Sequence, residues 1–211
     1  MHRSLCGVLA GLYFRKLCIQ TGMRALAILF FILIFFSGIA LAGDEVQINE
    51  RLQNGGAVHL QSGIYNIEGS IQIHSNTVLT GEPDTILRVS PNAGQWFVDG
   101  VGVIDNADTS LHDVEISGFQ IDGNLRQLPQ SYANSGAGDH NAERLIDFRC
   151  DSGNFGSNIS IHDLKLYDSY SDGIHLAFFN NVNVYNNFVS NCQHSGIYYF
   201  GSAEGHEYPV L

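Results

Sequence analysis

The chain has 211 residues, enough for one domain, with 21 acidic against 10 basic side chains and a formal net charge of −11. Every acidic residue lies beyond residue 43 and only six basic ones do, so that part carries a net charge of −15. Such an excess argues against DNA, RNA or an anionic membrane surface as the natural partner. It also disfavours a strongly anionic polymer bound along the whole length, unless a local basic spot such as Arg144 and Arg149 overrides it.

The N-terminal part carries none of the patterns found later. Arg24 precedes the apolar run Ala25 to Ala42, and Ala40-Leu-Ala42 is a small-x-small cleavage signal before Gly43. Residues 1–42 are therefore expected to be a secretory signal peptide, with Met23 as an alternative start that would make residues 1–22 an over-extension. A retained anchor over residues 25–42 is the alternative, since the run nearly reaches a membrane-spanning length. The expected localisation is secreted or cell-surface.

Residues 43–211 are expected to form one domain. Asp44 to Gln53 places Val46, Ile48 and Leu52 at spacings that allow one or two helical turns. This segment is expected to cap the first coil of a repeating structure. Asn54-Gly-Gly56 breaks it. Short alternating pieces come next, at residues 57–60, 63–67, 70–73, 77–79 and 85–89, with the turn signals Gln61-Ser-Gly63, His74-Ser-Asn76 and Thr80 to Asp84 between them. Pieces of two or three apolar residues are too short for ordinary hairpins, but they suit the sides of a coil stacked on the next coil.

The repeat is plainest from Asn158 to Phe200. A shift of 23 lays Asn158 on Asn181, Ile159 on Val182, Ile161 on Val184, Leu166 on Val189, Gly173 on Gly196 and Ile174 on Ile197. A shift of 45 carries Asp113-Val-Glu-Ile116 onto Asn158-Ile-Ser-Ile161, with Leu145-Ile-Asp-Phe148 as that coil's third side. The extra length falls in residues 125–144, between the second and third sides. A further match, Asp99 to Val103 onto Asp172 to Leu176, would pair Gly102 with His175. Strand-only repeats of this length predict a single-stranded parallel β-helix of roughly six coils. The last residues hold neither a next coil nor a cap, so the domain is expected to be truncated at its C-terminal end.

Three strings carry a family resemblance. Asn54-Gly-Gly-Ala-Val-His-Leu-Gln-Ser-Gly-Ile-Tyr-Asn-Ile67, with Ser75-Asn-Thr-Val-Leu-Thr-Gly81 after it, resembles the opening of the pectate-lyase-like right-handed β-helix superfamily. Gly118-Phe-Gln-Ile-Asp-Gly-Asn124 resembles one of its later coils. Gln61-Ser62 stands where the family has Pro. The narrower likeness is to archaeal cell-surface β-helix proteins of the disaggregatase type. The resemblance implies a right-handed helix and a carbohydrate-active surface, and it raises Ca²⁺ as a cofactor; the residues themselves identify none.

Stacking the third sides would align Gly102, Asp147, His175 and Tyr198 on one outward face, with Asp172 over Ser195 and Ser171 beside His194. Asp147, Asp172 and His175 are the candidate catalytic residues, because a carboxylate or imidazole can move a proton. Arg144, Arg149, His194, Tyr198 and, in the long insertion, Tyr132 are the candidate substrate-binding residues. The expected partner is a polysaccharide or cell-surface glycan. The expected activity is that of a polysaccharide lyase or hydrolase, against the alternative of a non-catalytic envelope protein that binds glycan. The paired-Asp motifs of polygalacturonases are not cleanly present; only Ser171-Asp-Gly-Ile174 is similar to their strand.

Overall fold

The computed structural model describes residues 43–91, 93, 101–127 and 144–201. The expected signal or anchor (1–42), most of the insertion including Tyr132, and the last ten residues lie outside the described residues. Among the described residues one helix, α1 (Glu45–Leu52), precedes fifteen strands. They form three parallel sheets of five, in the orders β1-β4-β7-β10-β13, β2-β5-β8-β11-β14 and β3-β6-β9-β12-β15. Each coil gives one strand to each sheet, which is the architecture of a right-handed parallel β-helix. The described residues contain five coils rather than six. Dividing the chain by 23 overcounts, because two coils carry insertions.

The strands of the first sheet are β1 (Gly56–Leu60), β4 (Thr77–Gly81), β7 (His112–Ser117), β10 (Gly156–His162) and β13 (Phe179–Tyr185). Those of the second are β2 (Gly63–Ile67), β5 (Thr85–Val89), β8 (Gln120–Asp122), β11 (Lys165–Ser169) and β14 (Phe188–Cys192). Those of the third are β3 (Ile71–Ile73), β6 (Gly102–Asn106), β9 (Arg144–Arg149), β12 (Ile174–Ala177) and β15 (Ile197–Phe200). Side chains alternate across a strand, so one set points into the bore. There they form columns. Ile71, Ile104, Ile146, Ile174 and Ile197 stack in the third sheet. Leu87, Ile121, Leu166 and Val189 stack in the second. Each of these side chains that is fully buried stabilises the fold by about 1.5–3 kcal/mol.

A stack of coils leaves backbone groups unpaired at its first turn. Side chains of α1 and its N-cap pair with them here. Asn66 N donates to Asp44 Oδ2 (2.7 Å), Glu68 N to Glu45 Oε2 (3.0 Å) and Gln72 N to Asn49 Oδ1 (2.8 Å), while Asn49 Nδ2 donates to Ser70 O (2.9 Å). Ile48 and Leu52 close the bore beneath. The helix thus does with side chains what a strand would do with its backbone.

The corners are set by residues that tolerate left-handed backbone. Gly55 and Asn76, just before β1 and β4, and Asp113, Asn158 and Asn181, in the first residues of β7, β10 and β13, stack on one another with φ of 70°, 63°, 57°, 58° and 51°. Only Gly, Asn and Asp adopt this conformation cheaply. Asn181 Nδ2 donates to Asn158 Oδ1, and Asn158 Nδ2 to Asp113 Oδ1, both at 2.7 Å. Phe178 (φ 62°) is the bulky exception; its ring packs edge-to-face with Phe155 and Phe200. The corner between the second and third sheets is short in three coils. It lengthens to residues 90–101 and 123–143 in the two coils that supply β6 and β9.

Candidate functional site

Register on the third sheet lines up Gln72, Asp105, Asp147, His175 and Tyr198 as one outward row. Four intervals of about 4.8 Å make the row roughly 19 Å long. The position expected for Gly102 is held by Asp105: Gly102 pairs with Arg144, three residues out of the expected alignment. Asp105 is the residue that sequence reasoning missed. Its signal was present, since Val103-Ile-Asp105 repeats Leu145-Ile-Asp147 directly. The Asp-Gly pair at residues 99–100 drew the alignment away from it.

The row is not an open ribbon of charges. Asp147 is 1% exposed, Asp172 0%, Arg144 2% and His175 8%. Two buried carboxylates cost too much to leave unpaired, and donors converge on both. Arg144 bridges them, with Nη1 donating to Asp147 Oδ2 (2.9 Å) and Nε to Asp172 Oδ2 (3.1 Å). Arg149 grips Asp147 through Nε at 2.9 Å and through a second guanidinium nitrogen. His175 Nδ1 lies 2.6 Å from Asp147 Oδ1, and His194 Nδ1 lies 2.6 Å from Asp172 Oδ1. The backbone N–H of Ser195 also donates to Asp172 (3.0 Å). The arrangement is two Asp–His pairs tied together by one arginine.

Electrostatics separates the two carboxyls that neighbour each other in the row. Burial pushes Asp147 up, but hydrogen bonds from His175 and Arg149 and the charges of Arg144 and Arg149 outweigh it and hold the carboxyl down at about 2. Burial and then the charge of Asp147 push Asp105 up to about 6, against its own contacts with Asn106 N and Gly102 N. Asp147 is thus ionised at neutral pH and can only accept. His175 Nδ1 must carry the shared proton, which leaves Nε2 as the unprotonated nitrogen.

Tyr198 differs from expectation in what it offers. Its ring stacks on His175 at 5.3 Å and 8°, and it meets His194 at 6.2 Å. One ring face is therefore occupied by an imidazole and cannot serve as a platform for a sugar. Of the expected residues, Asp147, Asp172, His175, Arg144, Arg149, His194 and Tyr198 lie in one connected group; Tyr132 lies outside the described residues. Among the described residues no group of three or more His, Cys, Asp or Glu is arranged to hold a metal ion. Asp147 and Asp172 direct their oxygens at Arg and His donors, so this donor set does not fit Ca²⁺.

No protein-family model matches the chain. A preneck appendage protein of Bacillus phage PZA is 28% identical over 141 residues, and its counterpart from Bacillus phage phi29 matches equally. The match takes in 64% of this chain but only 15% of those relatives' length. Among solved structures, a candidate glycosyl hydrolase from Parabacteroides merdae superposes with a TM-score of 0.50 at 18% identity, covering 78% of this chain and 89% of that one. A hyperthermoactive exopolygalacturonase from Thermotoga maritima gives 0.51 at 16% identity, covering 75% and 48%. None of these four lends support to the narrower archaeal likeness. The structural matches and the three stacked sheets agree: the chain has the right-handed parallel β-helix fold.

Proposed function

We propose that the third-sheet row is the reaction surface of a carbohydrate-active protein that cleaves a uronate-containing polysaccharide by elimination. The observation that carries this reading is the Asp147–His175 pair at 2.6 Å, buried beneath Arg144 and flanked by the half-exposed Arg149. Asp147 fixes the imidazole so that Nε2 faces the substrate as general base. Arg149 meets the uronate carboxylate and lowers the cost of removing the proton beside it. In the elimination His175 Nε2 takes the proton from C5, a C4–C5 double bond forms and the C4–O bond breaks. The departing oxygen takes a proton from Asp105, whose carboxyl, pushed up to about 6, still holds one in mildly acidic solution. The names of the two superposed structures, a candidate glycosyl hydrolase and an exopolygalacturonase, support a polysaccharide as the substrate class.

A second reading, hydrolysis, is favoured by the division between Asp105 near 6 and Asp147 near 2 on adjacent coils, the split that acid and base roles require. An extracellular setting rests on the apolar run 25–42 and its Ala-Leu-Ala site alone. Incubation with polygalacturonate, alginate and xylan, following absorbance near ~235 nm together with reducing ends, separates the readings, because only elimination creates the absorbing double bond. Rising absorbance that falls at least about a hundredfold in His175→Asn supports the base role. Reducing ends without absorbance transfer the reaction to hydrolysis. Retention on one glycan with neither signal leaves a non-catalytic binding protein.

A further inference from the structure

Beside the row, where β6 and β9 end, the surface holds a recess of about 130 Å³ lined by Asn106, Ala107, Asp108, Thr109, Arg149 and Asp151. It adjoins the Asp147–His175 pair through Arg149, two residues further along β9 and so about 6.6 Å down the strand. We infer that this recess is a sugar subsite, holding the hydroxyl-bearing face of the residue next to the one over His175. The polysaccharide then crosses the row obliquely, because the recess is set off from His175 both along the strands and toward the coil that supplies β6.

Three properties argue for it. The first is rigidity. Asn106 Nδ2 donates to Asp108 O (2.8 Å) and Arg149 O (2.9 Å), and its Oδ1 accepts from Arg149 N (2.7 Å). Asp108 is fixed by Ser75 N (2.6 Å) and His74 Nδ1 (3.1 Å), and the Arg149 guanidinium by Asp147. A wall held this way loses little freedom when a ligand arrives. The second is charge. Two carboxylates against one guanidinium make the recess unfavourable for a phosphate or sulfate. Carboxylates accept strongly from hydroxyls, and a sugar ring offers several. The third is position. Arg149 is the shared wall between the recess and the reacting group, so one guanidinium contacts both sugar residues.

This inference rests on the reading of the row as a polysaccharide surface, and the test keeps the two apart. Isotope-labelled protein is titrated with trigalacturonate and with xylotriose, and the amide signals of Ala107, Thr109 and Asp151 are followed. Saturable shifts at these amides are expected, with binding weakened at least about tenfold in Thr109→Trp, which fills the recess. Asp151→Ala, an exposed turn substitution, should weaken it in the same direction and guards against a misfolded Trp variant. Shifts confined to His194 and Tyr198, or unaltered affinity in both variants, would overturn the subsite even where the wild type cleaves polysaccharide. Saturable binding at the recess without cleavage of any polymer sinks the proposed reaction and leaves the subsite standing. Absence of binding to either sugar, with no cleavage, removes both.

Discussion

Replacing Asp105 by Asn should make the protein more stable at neutral pH and less active. Asp105 is half-buried and neighbours the ionised Asp147, which together push its carboxyl from 3.8 to about 6. In the unfolded chain the group ionises near its ordinary value. Between about pH 4 and pH 6 the native state therefore holds a proton that the unfolded state has released, and wild-type stability falls as the pH rises through that window. The gap of about two pH units corresponds to at most about 3 kcal/mol at roughly 1.4 kcal/mol per unit. Partial exposure and solvent screening reduce this to about 1–2 kcal/mol. Asn keeps an acceptor for Asn106 N and Gly102 N but cannot ionise, so the loss disappears. Urea unfolding at pH 4, 5, 6 and 7 should give a variant-minus-wild-type difference that grows by about 1–2 kcal/mol between pH 4 and 7. A difference that does not change with pH would refute the reasoning, because desolvation and Asp147 would then not be acting on this carboxyl. The same variant lacks the proposed proton donor, so its turnover should fall by about a hundredfold or more.

Three further outcomes are expected from the same geometry. Arg144→Met leaves two buried carboxylates short of a donor and should cost about 3–5 kcal/mol in urea unfolding. Adding Asp172→Asn should recover part of that loss, and no recovery would mean the guanidinium is not balancing Asp172. Asp147 contributes about 2 kcal/mol above pH 4, lost as the pH falls toward its folded value of about 2; Asp147→Asn should abolish that acid limb in thermal unfolding. Asn158→Ala puts a side chain that avoids left-handed backbone at φ 58° and should lower stability by about 1–2 kcal/mol. Asn158→Gly should cost clearly less, and equal costs would show that the backbone conformation is not what the column selects.

The legible parts of the chain are the parts that repeat. The Ile159/Val182 and Ile174/Ile197 matches gave the coil register because inward positions demand apolar side chains in every coil. The Asn and Asp corners follow a similar rule: left-handed backbone admits few residue types. The helix over Asp44 to Gln53 was recognisable as a cap, but the way Asp44, Glu45 and Asn49 imitate a strand edge was not, since that depends on side-chain reach. Asp105 was lost because a twelve-residue corner, 90–101, upsets the spacing just before it. The ties between Arg144, Asp147 and Asp172 were also invisible. Arg144 and Asp172 are 28 residues apart and meet only because β9 and β12 pair.

The uneven corner between the second and third sheets has a consequence for how such a protein changes over generations. In the two coils where it is long, that corner is anchored by strands whose partners above and below already fix them. Extra residues there cost only the slowly growing entropy of closing a longer loop. Lengthening or exchanging residues 90–101 or 123–143 therefore leaves the row of Asp105, Asp147 and His175 where it is. Inheritance can treat the coil as a constant and those two segments as replaceable parts, so that their length is free to drift while the stacked row stays still.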